Sequence, residues 1–175
     1  MNETVSLTKP LPEFSDPKDL KGFFLAHLSR IYCAKLHLTE RLPELAEQAH
    51  YRDLRLAILG TLDEVQMQIT RMDDIFLLLD GEFSMANCEG MISMVEDAYT
   101  EIYLKINKPA LSDMSFLYYM YTIESMERSS FRVLQIAALK MPNNQVSQLL
   151  TELFDDAKAD RALMRSINEK YLKNS

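Results

Sequence analysis

The chain has 175 residues, only 4 of them glycine, and a formal net charge of −7. That length fits one domain with a single core, and scarce glycine beside plentiful Leu, Met, Ala, Glu and Lys favours helix over sheet. The acidic balance, with no Lys/Arg-rich run, argues against nucleic acid or an anionic membrane as a partner.

No apolar run reaches the ~18 residues of a membrane span, and the first residues lack the apolar stretch of a leader. Cys33 and Cys88 have no metal or redox spacing, so buried thiols in a reducing, cytoplasmic setting are expected. Residues 1–15, with Pro10 and Pro12, show no period and read as a mobile arm; the bundle is expected over 16–172.

Ser15-Asp16-Pro17 opens the first helix, with Asp16 as N-cap and Pro17 in the first turn. Leu20, Phe24, Leu28, Ile31, Leu38, Leu42 and Leu45 then recur at three- and four-residue steps to about Ala49. Lys35 falls on that stripe, four after Ile31 and three before Leu38. Pro43 predicts a kink or an early stop. The second helix is expected from Arg52 to Leu79, ended by Asp80-Gly81, with Asp63 and Gln66 beside a stripe containing Leu62, Val65 and Ile69.

A shorter amphipathic piece, Glu89 to Leu104, follows and is long enough to cross the bundle, so that the helices it joins run parallel. The third long helix begins near Ser112-Asp113 and ends before Pro142, with Glu124 and Glu127 on its apolar face. Asn143 and Asn144 cap the last helix, which carries Asp155, Asp156 and Lys158 midway. The fold class is therefore all-α: a four-helix bundle with a helical crossover between its second and third long helices.

Charged residues at one level of all four helices point to a polar site inside the bundle, because a buried charge requires a partner or a metal. Dimetal bundles of the ferritin type place a Glu from each of two helices and a Glu-x-x-His pair from each of the others in the core. Here Lys35, Asp63-x-x-Gln66, Glu124-x-x-Glu127 and Asp155-x-x-Lys158 stand in those places.

Over roughly residues 18–168 the chain also resembles the YciE/YciF-type ferritin-like bacterial stress proteins. The resemblance rests on Ile31-Tyr32, Ala34, Arg41-Leu42-Pro43, Arg71 through Phe76, Cys88 with Met91, Ile123-Glu124 with Glu127, Leu149-Leu150 and Lys158-Ala159. It implies a ferritin-like fold, a stress-linked role and an iron or manganese site. The departures lie at the ligands: Ala-Glu-Lys-Gln of the family is Ala34-Lys35-Leu36-His37, and Glu-Glu-Thr-His is Asp63-Glu64-Val65-Gln66. Glu-His-Tyr-Glu is Glu124-Ser125-Met126-Glu127, and Glu-Glu-Glu-Lys is Asp155-Asp156-Ala157-Lys158.

Asp63, Glu124, Glu127 and Asp155 remain as metal ligands if a metal binds at all, with Lys35, Gln66 and Lys158 in the other ligand-type positions. An ammonium at ~4 Å repels a cation by about 4 kcal/mol per unit of metal charge at an effective dielectric near 20. The expectation is thus a bundle with no cofactor, in which Lys35 pairs with the carboxylates, acting as a homodimeric structural or interaction protein. On this reading, changing Lys35 to Glu with Gln66 to His restores metal binding.

The alternative is a weakened di-iron or di-manganese protein active in oxidation, peroxide removal or iron handling. A weaker third is a module binding an apolar ligand or partner helix on its methionine-rich face. Against these stand plainer assignments: Lys35 snorkelling to water, the aspartates on solvated faces, His27, His37 and His50 as surface or cap residues. The Tyr118, Tyr119 and Tyr121 cluster reads first as core packing. No nucleophile triad, phosphate loop or zinc spacing is present.

Overall fold

A computed structural model describes residues 16–86 and 88–174; the arm expected over 1–15 lies outside them. Five helices follow in order: α1 (Pro17–Gln48), α2 (Arg52–Leu78), α3 (Glu89–Tyr103), α4 (Pro109–Ala138) and α5 (Asn144–Asn174). The caps are those the residues dictate. Asp16 accepts from the Lys18 N–H at 2.8 Å, and Asn143 Oδ1 accepts from Gln145 and Val146 N–H at 3.0 and 3.3 Å. At the end of α2, Asp80 takes the left-handed conformation (φ 42°), and the Gly81 N–H reaches back to Phe76 O at 2.9 Å.

Pro43 neither kinks nor ends α1 at that point in the sequence, since the helix continues to Gln48. Its ring lies on the exposed side, where water can satisfy the Thr39 carbonyl that it leaves unpaired. α4 starts earlier than expected, at Pro109, because proline is well suited to a first helical position. The turn into α2 has no side-chain cap of its own. Buried Asp113 of α4 supplies one instead, accepting from the His50 and Tyr51 N–H groups at 3.0 and 2.8 Å.

α1 and α2 form an antiparallel hairpin. α5 runs antiparallel to α2, tied by Lys170 to Asp53 at one end and by Arg71 to Glu152 (3.2 Å) at the other. It is antiparallel to α4 as well, through Gln135 to Thr151 at 3.4 Å and Arg161 to Ser125 at 2.9 Å. Hence α2 and α4 are parallel, and α3 makes the crossover between them. Arg41 to Glu96 (2.8 Å) holds α3 on α1, and Tyr119 to Asp97 (3.1 Å) holds it on α4. The result is the all-α four-helix bundle with helical crossover that the periodicity predicted.

The cysteines depart from expectation. Instead of two free thiols, Cys33 and Cys88 form a disulfide with Cα atoms 6.0 Å apart, pinning the entry of α3 to the middle of α1. Bridging positions 55 apart in sequence restricts the unfolded chain, typically by about 2–4 kcal/mol. The pairing also removes the argument for a reducing compartment, which rested on unpaired thiols. Among the described residues no helix is long and apolar enough to cross a membrane.

The tyrosines are not core packing as a group. Tyr118 is exposed, whereas Tyr119 and Tyr121 are half-buried and hydrogen-bonded to Asp97 and Arg161.

Candidate functional site

The core is two apolar clusters separated by a polar layer. One gathers Leu38, Leu42, Ile58, Val65, Met120, Ile123 and Met164; the other gathers Leu28, Ile31, Met72, Phe131, Leu153 and Ala157. Between them every long helix contributes a polar side chain: Lys35 from α1, Glu64 and Gln68 from α2, Glu124 and Glu127 from α4, and Asp160 from α5. The placement follows from spacing. Lys35 bridges the Ile31 and Leu38 turns, while Asp160 lies three after Ala157 and four before Met164.

Lys35, Glu124 and Glu127 are fully buried. Lys35 Nζ contacts Glu127 Oε2 directly and lies 3.9 Å from Glu124 Oε1. Neither Glu124 oxygen accepts a hydrogen bond among the described residues. On the α2–α5 side, Glu64 is hydrogen-bonded to Asp160, and Gln68 Nε2 donates to Asp160 Oδ2 at 3.2 Å. Four carboxyls therefore surround one ammonium, and full ionisation would leave three negative charges unmatched in the core.

Raised carboxyl pKa values reduce that excess. Burial pushes the Glu124 carboxyl well above the ordinary carboxylate range, against the pull of Lys35. Its hydrogen bond to Asp160, then burial, raises Glu64 to about 8. Burial also raises Glu127, with Lys35 opposing. For Lys35 itself burial favours the neutral amine, but Glu124, Glu127 and Asp160 outweigh it and lift the group above its ordinary value. The direct contact makes Lys35 and Glu127 the ion pair of the centre, and the raised Glu124 and Glu64 beside it hold their protons more tightly than ordinary carboxyls. That arrangement is a fixed counter-charge, not an open site.

Sequence periodicity identified part of this centre. Lys35, Glu124 and Glu127 meet as their spacing indicated. Asp63 and Gln66 do not join them: both are exposed on the outer face of α2, and Gln66→His would put an imidazole in water. Asp155 and Lys158 are exposed as well, and Asp156 sits at the edge, bound to Arg71 at 2.6 Å. The stripe Leu54, Ile58, Leu62, Val65, Ile69, Met72, Phe76 and Leu79 is broad, and Asp63 and Gln66 flank its half-buried Leu62 edge, whereas the buried polar residues Thr61 and Gln68 lie on its other side. On α5 the expected stripe through Val146, Leu150, Leu153, Ala157 and Met164 is the buried one, and Asp160 lies on it, three after Ala157.

A dimetal centre does not fit these residues. Lys35 Nζ occupies the space between the carboxylates, and no imidazole is near: His37 pairs with Glu96 and Glu40 at the α3 side, and His50 lies at the α1–α2 turn. Among the described residues no three His, Cys, Asp or Glu side chains are arranged to hold one ion. A cleft of about 650 Å³ lies instead at the bundle end between Leu20, Lys21, Leu79 and Met141.

Comparison with known proteins places the fold. The structure is similar to YcfI of Rhodopseudomonas palustris, a protein proposed to be structural (TM-score 0.77, 25% identity, covering 88% of this chain and 98% of that one). It is similar in fold to the Escherichia coli stress protein YciF (0.79, 22%, 89% and 98%). A protein of Xanthomonas campestris also shares the fold (0.62, 21%, 89% and 97%). No curated protein matches the sequence. The profile of DUF892, a domain of unknown function, matches residues 19–175, and the chain thus belongs to that family as a YciF-type member.

Proposed function

We propose that this chain is a stress-associated structural or interaction protein whose bundle centre is closed by an internal lysine in place of a metal. The observation that carries the reading is Lys35 Nζ seated against Glu127 and beside Glu124, all three without solvent exposure. An ammonium there supplies the positive charge that a carboxylate-lined core demands, and it repels a cation brought to the same oxygens. The neighbours described as a stress protein and as a structural protein support the same direction.

Elemental mass spectrometry tests it on protein purified without chelator and then reloaded with iron(II) or manganese(II). Near-zero metal per chain is expected in both preparations. One or two ions per chain after reloading would overturn the reading in favour of an oxidase-type or iron-handling protein.

A further inference from the structure

α3 covers the seam between α1 and α4 only from its own start onward, because it begins at Glu89, beside the Cys33–Cys88 bridge. The rest of that seam, toward the start of α1 and the end of α4, is a groove of about 280 Å³. Ile31 and Leu134, both buried, form its floor, and Phe23 and Val133, 41% and 52% exposed, stand at its rims. Met91, in the first turn of α3, closes one end. Helical spacing accounts for the lining, since Phe23, His27, Arg30 and Ile31 share one face of α1, and Ser130, Val133 and Leu134 share one face of α4.

Two basic side chains stand in this apolar groove without a counter-charge. Arg30 Nε is buried and has no hydrogen-bond partner among the described residues, and no carboxylate among them pairs with its guanidinium. Native structures seldom leave such a donor unanswered. Its neighbour His27 is half-buried, and burial first, then the Arg30 charge, holds its imidazole below the ordinary value. An anion placed here would supply the acceptor that Nε lacks and offset the Arg30 charge felt by His27. Ser130 takes no part in that role, since its hydroxyl donates to Met126 O at 2.9 Å.

The walls narrow the choice of anion. One guanidinium matches one carboxylate through two parallel N–H···O bonds. A phosphate dianion would bring a second charge against the apolar side chains of Ile31, Val133 and Leu134 at the cost of its hydration. The Phe23 and His27 rings lie 4.2 Å apart, tilted at 49°, so a third ring can extend the pair, with the Met91 thioether against it. The volume falls just below that of sites for drug-sized molecules, which suits one ring or two fused rings.

We propose that this groove binds a small aromatic carboxylate, its carboxylate on Arg30 and its ring between Phe23 and Met91. The proposal does not depend on the state of the Lys35 centre, and either can fail alone.

Proton NMR of the full chain titrated with benzoate tests it. The chain has three histidines; His27→Gln identifies the His27 imidazole signal, and His37 and His50, at the α3 side and the α1–α2 turn, are the controls. Benzoate saturates the His27 signal in the high-micromolar to low-millimolar range that a ligand of its size allows. It also raises the pH at which His27 titrates and leaves the two controls in place. Arg30→Gln weakens benzoate about tenfold or more, and neutral benzamide gains nothing from Arg30. Val133→Glu, at an exposed position, puts a carboxylate of the chain's own into the groove and excludes benzoate as well. A His27 signal unmoved by tens of millimolar benzoate overturns the proposal. Benzoate binding that Arg30→Gln leaves unchanged overturns it too, as does inorganic phosphate shifting His27 at the concentrations where benzoate does.

Discussion

Lys35→Met is expected to lower the unfolding free energy by about 3–5 kcal/mol, the cost of stranding one member of a buried ion pair. The size follows from what the substitution leaves behind. Glu127 loses the ammonium that it contacts, and among the described residues no other cation in the centre replaces it. Glu127 then has to take up a proton or stay charged in an apolar layer. Burial disfavours the charged form of Glu124 as well, so that neighbour offers no compensation. Lys35→Met/Glu127→Leu removes both charges, and most of the loss returns, because an apolar pair of similar volume is a workable substitute. Urea unfolding of the three proteins measures both effects. A single variant within 1 kcal/mol of wild type would show that Lys35 is not held as the counter-charge; a double variant as poor as the single one would show that packing, and not charge, dominates.

Stability is also expected to fall as pH rises from about 5 to 8. Glu64, Glu124 and Glu127 all have folded pKa values raised above their unfolded ones, Glu64 to about 8. Between the two values the folded state binds more protons than the unfolded chain, so the slope of unfolding free energy against pH is negative. Each such group contributes about 1.4 kcal/mol per pH unit across its own interval. Stability is therefore fully present below the unfolded carboxyl value near 4.5 and declines up to about 8, where Glu64 ionises. Glu64 contributes less than the two fully buried groups, because it is partly exposed and water screens it. The lowered groups Asp53, Glu96 and Glu169 act oppositely, but they sit in exposed or half-exposed pairs.

Thermal melts at half-unit steps from pH 5 to pH 9 trace the curve, and Glu124→Gln should flatten it by removing a titrating group without changing shape. A melting temperature that climbs steadily over this range would mean that the carboxyls fold ionised, and would dismantle the charge assignment of the centre.

The long helices and their order were legible because the apolar period is sustained over many turns and the stops are chemically sharp: Asp16-Pro17, Asp80-Gly81 and Asn143. Lys35, Glu124 and Glu127 were legible for the same reason, each sitting squarely on its stripe. Where two apolar rows run side by side, the period fixes a helix but not its rotation. On α2 the Leu62–Ile69 and Val65–Met72 rows together form one broad stripe, and its period does not say whether Gln66 or Gln68 borders the core. Only contact with α5 decides it, through the Gln68–Asp160 hydrogen bond. The Cys33–Cys88 pairing was invisible on different grounds, since it depends on where α3 returns to α1, and no local pattern encodes a crossover's landing point.

The borrowed cap at the head of α2 bears on synthesis. Asp113 lies 62 residues beyond the Tyr51 amide that it satisfies. At roughly 5–20 residues per second, a ribosome has finished that amide about 3–12 s before the carboxylate leaves the peptidyl-transferase centre. During that interval the nascent α1–α2 hairpin carries two amides answered by water alone. The hairpin leaves the ribosome incomplete at its tip, and the turn acquires its final form when α4 arrives.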